Sequence, residues 1–145
     1  MDIAQELLQK VLEADNDNLT SLVVFGSRAL NKGRFDSDLD VMLVFKKVQP
    51  AGKTAVLLSD IEYELSSKYG TSLSSVYYSE EELKSGVAKR DRILLGILRG
   101  YKIIYDRNHF FSIRMEKLRA SLSKEGAKYI EKERVWKIPS LKIKA

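Results

Sequence analysis

A chain of 145 residues, 44% hydrophobic and 31% charged, is long enough to bury one core and is typical of a single soluble domain. It contains no cysteine and one histidine, which excludes disulfides and thiolate sites and leaves oxygen ligands, hence Mg²⁺ or Mn²⁺, for any metal. The net charge of +5 hides an asymmetry, because residues 1–83 have a balance of −6 and residues 84–145 a balance of +11. An anionic partner such as RNA on the C-terminal part would explain this, although solvated helix faces are the simpler interpretation.

The first half of the chain predicts two helices and two strands. The acidic N-terminus is unlike a signal peptide, and no apolar run approaches the roughly 20 residues that span a bilayer. We therefore expect a cytoplasmic protein without a membrane partner. Apolar spacing predicts an amphipathic helix over 2–14, capped by Asp2 with Gln5. Strands are predicted over 22–25 and 40–45, and a helix over about 53–69.

The second half continues the alternation. It predicts a strand over 73–78, a helical turn from Glu80, a helix over 87–99 and a strand over 101–105. A basic helix follows from about 108 towards 134, interrupted near Gly126, and the tail 135–145 is predicted as an edge strand. Strands that alternate with helices predict one α/β (α+β) domain.

The motif with the most chemical content joins the first two strands. Gly26-Ser27 ends the first strand, and Asp38-Leu39-Asp40 begins the second. Residues i and i+2 of a strand share a face roughly 6.5–7 Å apart, so Asp38 and Asp40 can converge on a divalent metal. Gly26 lets the backbone approach an anion, and Ser27, the following turn and Arg28 or Arg34 can bind phosphate. Each feature alone is common in turns, but together they favour a metal–nucleotide site.

The residues around this motif resemble a known family. Residues 24–29 (VFGSRA), 33–34 (GR) and 37–43 (SDLDVML) are similar to the minimal nucleotidyltransferases of the DNA polymerase beta superfamily. The similarity is strong over about 20–45 and looser to about 106. It implies a palm-like mixed β-sheet flanked by helices over 1–106, with 107–145 as a basic C-terminal helix and tail packed on the same domain.

The resemblance also implies an activity and a partner. Asp38 and Asp40 would bind Mg²⁺, and Gly26, Ser27 and Arg28 would bind the triphosphate, with Asp38, Asp40 and Ser27 as the catalytic residues. The reaction would move a nucleoside monophosphate, AMP from ATP, to a hydroxyl group and release pyrophosphate. Many such proteins resemble antitoxins encoded beside a HEPN-type ribonuclease toxin, and some attach AMP to a tyrosine of that toxin.

One departure from the family bears on catalysis. The superfamily usually supplies a third carboxylate from the strand after the long helix, but residues 73–78 (LSSVYY) contain none. Ser74, or else Ser75, occupies that position, and Asp36 is an alternative source from the loop. A serine is a poor Mg²⁺ ligand and cannot accept a proton as a carboxylate does. A second hypothesis is therefore a degenerate domain that binds nucleotide or partner without transfer.

A third hypothesis, a nucleic-acid-binding module built on the basic C-terminal segment, ranks last because aromatic residues are not interleaved with its charges. Outside the motif, His109 is interpreted as a packing or capping residue. Trp136 is interpreted as packing over the edge of the domain rather than stacking on a base or partner, and Glu62 and Glu64 as the solvated side of the helix over 53–69.

Overall fold

A four-stranded mixed sheet forms the framework of the molecule, in a computed structural model that describes residues 2–26, 38–130 and 135–137. The elements in chain order are α1 (Ile3–Asp15), β1 (Leu19–Phe25), β2 (Leu39–Phe45), α2 (Lys53–Tyr69), β3 (Leu73–Ser79), α3 (Glu80–Lys89), α4 (Arg92–Leu98), β4 (Tyr101–Asp106), α5 (Phe110–Lys124), β5 (Lys128–Ile130) and β6 (Val135–Lys137). The prediction of an α/β fold with a mixed sheet flanked by helices is confirmed.

The strand order β3-β2-β1-β4 combines two kinds of pairing. β1 runs antiparallel to both β2 and β4, and β2 runs parallel to β3. The parallel pair is connected through α2, as a crossover between parallel strands requires. At one end of the sheet Phe25 pairs with Asp40, and at the other end Leu19 pairs with Phe45.

Alternate side chains of the strands point into two apolar cores. Val41, Leu43 and Phe45 of β2 pack with α1 and α2 on one face. Met42 and Val44 pack on the other face against apolar residues of α3, α4 and α5: Leu83, Leu94, Ile97, Leu98, Phe111, Met115, Leu118 and Leu122. This strict alternation fixes which face each residue of β2 presents. Among the described residues, no helix is long and apolar enough to cross a membrane.

The outer edge of β3 is closed by side chains. Backbone N–H groups that point away from β2 donate to side-chain oxygens: Leu73 to Ser66 Oγ (3.1 Å), Ser75 to Glu62 Oε1 (2.9 Å) and Ser79 to Glu82 Oε1 (3.0 Å). The interpretation of Glu62 as a solvated residue was wrong, because its carboxylate also accepts from the Ser75 hydroxyl. These contacts occupy donors that another strand would need in order to pair here.

The helix predicted over 87–99 is two helices. Arg90 adopts the left-handed conformation with φ 56°, which ends α3. The Asp91 carboxylate then caps α4 by accepting from the N–H groups of Ile93 (2.7 Å) and Leu94 (3.3 Å). A capping aspartate in the middle of an apolar pattern therefore started a new helix.

The basic helix predicted towards 134 ends much earlier, at Lys124. Gly126 has φ 72°, and Ala127 N–H donates back to the Leu122 carbonyl at 2.9 Å, which closes the helix. The chain continues as β5, which pairs antiparallel with β6. Trp136 donates from Nε1 to the Leu95 carbonyl at 2.8 Å, so the packing role predicted for it is confirmed. Residues 138–145 lie outside the described residues.

α5 packs against the same sheet as the preceding elements, through Phe111 and Met115. The assignment of 1–106 and 107–145 as two parts of one domain stays a prediction.

Asp106 ties β4, β1 and α5 together. Its carboxylate accepts hydrogen bonds from the hydroxyl of buried Ser21 (2.7 Å), from Phe111 N–H (2.9 Å) and from the N–H and hydroxyl of Ser112 (3.0 and 2.7 Å). We expect Asp106→Ala to lower the free energy of unfolding by about 3 kcal/mol, because it removes a helix cap and leaves a buried hydroxyl without an acceptor. Urea unfolding followed by circular dichroism measures this. Glu116→Ala, at an exposed position of α5, is the control, and an equal loss in both variants would contradict the role of Asp106.

Candidate active site

The candidate site is formed where β1 ends and β2 begins. Gly26 follows β1 with φ +79°, and a Cβ atom at this position would lie 2.5 Å from Asp40 Oδ2. The Asp40 carboxylate therefore lies directly over the backbone of Gly26. A glycine is needed here for two reasons, since other residues rarely adopt this φ and since any side chain would displace the carboxylate.

The pairing of β1 with β2 produces this contact. Phe25 is the partner of Asp40 in the antiparallel ladder, so the next residue, Gly26, is adjacent to the Asp40 side chain. Asp40 shares its face of the sheet with Met42 and Val44, which are anchored in the core beneath α4 and α5. The sequence predicted that the two motifs face each other, but it assigned Gly26 to an anion. The room that Gly26 makes for Asp40 could not be inferred from spacing.

The two carboxylates differ in exposure and lie close enough to interact. Asp38 is exposed and Asp40 is partly buried. Burial raises the pKa of Asp40 above the usual range of an aspartate, and the negative charge of Asp38 raises it further. Within the described part of the chain, neither carboxylate has a hydrogen-bond donor or a cation as partner. Their repulsion is therefore not relieved by these residues.

The neighbouring strand brings Ser74 to this site. In the parallel ladder Asp40 pairs with Ser74, and Val41 pairs with Ser75. Paired residues of a ladder project to the same face, so Ser74 is beside Asp40, whereas Ser75 is on the opposite face and binds Glu62. Of the alternatives that the sequence left open, Ser74 is thus the residue next to the Asp pair.

The remaining predicted site residues lie outside the described residues. Ser27, Arg28, Arg34 and Asp36 all belong to the segment 27–37, so their roles stay predictions. His109 lies at the first turn of α5, at the other end of β4 from the site, and makes no side-chain cap there.

The donor set suits Mg²⁺ better than a metal that needs a complete protein cage. Among the described residues no group of three or more His, Cys, Asp or Glu side chains converges. Mg²⁺ is commonly held by one or two carboxylates together with substrate phosphates and water. Asp38 and Asp40, two oxygen ligands without a counter-charge among the described residues, match that pattern.

Comparison with known proteins gives a consistent result. A family model described as polymerase beta, nucleotidyltransferase matches residues 6–110. A protein of Methanocaldococcus jannaschii, named provisionally as a protein adenylyltransferase, is 30% identical over 141 residues, which are 97% of this chain and 95% of the relative.

Solved structures share the fold at lower sequence identity. A toxin–antitoxin crystal structure with AMP-PNP has a TM-score of 0.55 at 12% identity, covering 83% of this chain and 87% of that chain. Spectinomycin adenyltransferase from Enterococcus faecialis, with ATP and spectinomycin, has a TM-score of 0.56 at 15% identity, covering 84% and 65% of the two chains. At these identities the likeness concerns the fold alone.

The raised pKa of Asp40 gives a pH-dependent effect on stability. Because the folded state holds this proton more tightly than the unfolded state, the wild-type protein loses stability as pH rises through the pKa of Asp40. We expect Asp40→Asn to raise the free energy of unfolding of the metal-free protein at pH 7, and the gain to disappear below the ordinary aspartate pKa of about 3.9. Urea unfolding in EDTA across this range measures it. Asp60→Asn, an exposed change on α2, is the control, and a decrease at pH 7 for Asp40→Asn would contradict the prediction.

Proposed function

Because the chain belongs to the polymerase beta nucleotidyltransferase family, we propose that it is a Mg²⁺-dependent enzyme that transfers AMP from ATP to a hydroxyl group of a partner protein. The family expected from residues 24–43 is thereby confirmed, and the donor, the metal and the acceptor are the proposed parts. The observation that supports the site most directly is the Asp40 carboxylate over the backbone of Gly26. It supports the proposal because the proposed metal ligand lies next to the glycine proposed to contact a phosphate group.

The proposed acceptor is a HEPN-type toxin, with this chain as its antitoxin. The M. jannaschii relative is named for transfer of adenylyl groups to protein, and it is similar over nearly the whole of both chains. A toxin–antitoxin complex with an ATP analogue has the same fold. Such a reaction would take place in the cytoplasm.

In this proposal Asp38 and Asp40 hold Mg²⁺, while Gly26, Ser27 and Arg28 bind the phosphates. Bound Mg²⁺ would neutralise charge on the phosphate oxygens and on the two carboxylates. The acceptor oxygen forms a bond to the α-phosphorus, and the bond from that phosphorus to the bridging oxygen breaks. Pyrophosphate leaves with the electron pair, and the hydroxyl proton is released to water.

Ser74 favours a second candidate function, a domain that binds nucleotide or partner without transfer. Its position beside Asp40 is where a third carboxylate could join the pair, and a hydroxyl there neither binds Mg²⁺ strongly nor removes a proton at neutral pH. Contact with RNA through the basic C-terminal part stays a prediction that no geometry of the described residues favours.

The Asp pair tests the proposal. We expect Asp38→Asn with Asp40→Asn to reduce AMP transfer by about a thousandfold or more, because the loss of both metal ligands removes several kcal/mol of charge stabilisation. The measurement is label from α-labelled ATP on the co-purified partner, with thermal unfolding as a check of the fold. Asp60→Asn is the control, and equal transfer by the double variant would refute the proposed site.

Ser74 separates the two candidate functions. If the wild-type protein is an enzyme with an incomplete metal site, Ser74→Asp should raise the transfer rate about tenfold or more and lower the Mg²⁺ concentration needed for half-maximal rate. Ser75→Asp, on the opposite face of β3, should not raise it. The degenerate domain would be identified if Ser74→Asp transferred AMP while the wild-type protein transferred none and still bound Mg-ATP in calorimetry.

A further inference from the structure

We propose that a cavity at the end of the sheet opposite to Asp38 and Asp40 binds the phosphate groups of a small phosphorylated molecule. The cavity has a volume of about 430 Å³, and its lining includes Thr20, Lys46, Glu80, Arg107, Asn108 and Arg114. This inference does not depend on the proposed transfer reaction.

The strand register separates the two sites. Thr20 lies at the start of β1 and Gly26 directly after its end, so six residues of extended chain, about 20 Å, lie between them. Lys46 follows β2, whereas Asp40 is near its beginning. One molecule of nucleotide size cannot contact both ends of the sheet.

The charges around the cavity favour an anion. Lys46, Arg107 and Arg114 contribute three cations and Glu80 one carboxylate. Glu80 Oε2 accepts a hydrogen bond from the buried Thr20 hydroxyl at 2.6 Å, which holds it against β1. As far as the described residues go, neither Lys46 nor Arg114 forms an ion pair with a carboxylate.

The guanidinium group of Arg114 packs against an aromatic ring. Its guanidinium carbon lies 5.0 Å from the centre of the Phe110 ring, and Lys84 Nζ lies 5.9 Å from the same centre. Its Nε is buried and has no hydrogen-bond partner among the described residues. A guanidinium fixed by stacking loses little freedom on binding, and its planar donors suit phosphate oxygens.

The backbone at the rim is strained. Asn108 and His109 are consecutive non-glycine residues with φ 55° and 56°, a conformation that costs of order 1 kcal/mol or more for each residue and is concentrated at ligand sites. The first amides of α5 do not explain the site, because those of Phe111 and Ser112 already donate to Asp106. The cations therefore provide the binding groups.

The size of the cavity favours a small molecule over a polymer. A volume of about 430 Å³ lies in the range of small-molecule sites, whereas RNA is bound along extended basic surfaces. Free phosphate, pyrophosphate and a mononucleotide share the phosphate chemistry and are distinguished by experiment.

The test is a titration of the full-length protein in EDTA, followed by amide shifts in nuclear magnetic resonance. The probes are orthophosphate, pyrophosphate, AMP and adenosine. We expect pyrophosphate to cause saturable shifts at Lys46, Asn108 and Ile113. AMP binding more tightly than pyrophosphate would identify a nucleotide as the ligand, and the reverse order would identify a free phosphate.

Two variants and one control give the residue dependence. Arg114→Gln and Lys46→Gln should each weaken pyrophosphate binding about tenfold, the effect expected for one charge-assisted contact. Lys117→Gln removes the same charge from an exposed position of α5 and should change the affinity less than twofold. Lys46 is exposed after the end of β2, so its variant tests the site if Arg114→Gln disturbs the packing of Phe110.

The proposal is overturned by any of three results. The first is that millimolar phosphate, pyrophosphate and AMP cause no saturable shifts at these amides. The second is that Lys117→Gln weakens pyrophosphate binding as much as Arg114→Gln and Lys46→Gln do. The third is that adenosine, which has no phosphate, causes the same shifts. Tighter binding of a short RNA than of every small probe would overturn the small-molecule occupant as well.

Discussion

The register between β1 and β2 is the constraint on which the candidate site depends. Asp40 is over Gly26 only because Phe25 pairs with Asp40. A slip of one residue would turn the carboxylate to the face covered by α1 and α2. The whole of β2 opposes such a slip, because every apolar side chain of the strand would move to the other core. The side chains concerned are Val41, Leu43 and Phe45 on one face and Met42 and Val44 on the other. Apolar packing thus fixes the position of a polar site.

The molecule uses carboxylates in two contrasting ways. Asp91 accepts from the Tyr78 hydroxyl and from two amides of α4, and burial together with this bond raises the pKa of Tyr78. Asp106 and Glu80 likewise accept from buried hydroxyl groups. Asp38 and Asp40 have no such donors among the described residues, although one of them is partly buried and both repel each other. As far as these residues go, the repulsion between the two carboxylates opposes folding, and a bound cation removes that cost.

Much of the fold followed from apolar periodicity, and the errors were at points where a tertiary contact outweighed it. The helix over 87–99 was divided at Arg90, which leaves the helix just before the capping Asp91 and whose guanidinium contacts Glu125, 35 residues away, at 2.6 Å. Ser74 was preferred over Ser75 from the sequence, but only the register of the parallel pair β2 and β3 shows which serine is next to Asp40. Glu62 was interpreted as solvated because its partner, an amide of the edge strand, is identified only by the fold. The strand ends that flank the motif were predicted best, since β1 ends at residue 25 as predicted and β2 begins at Leu39, one residue before the predicted start.

Some of the positive charge in the C-terminal half of the sequence is used within the fold. Arg90 pairs with Glu125, Arg119 donates to the Leu98 carbonyl, and Arg99 stacks on Tyr129. Since these cations serve the packing of α3, α4, α5 and β5, the excess of positive charge counted along the chain overstates the basic surface. What distinguishes Lys46 and Arg114 is that they line a cavity without a carboxylate partner in the described part of the chain. A count of charges along the sequence does not identify this pair of cations, since Lys46 comes from the part of the chain, residues 1–83, whose net charge is negative.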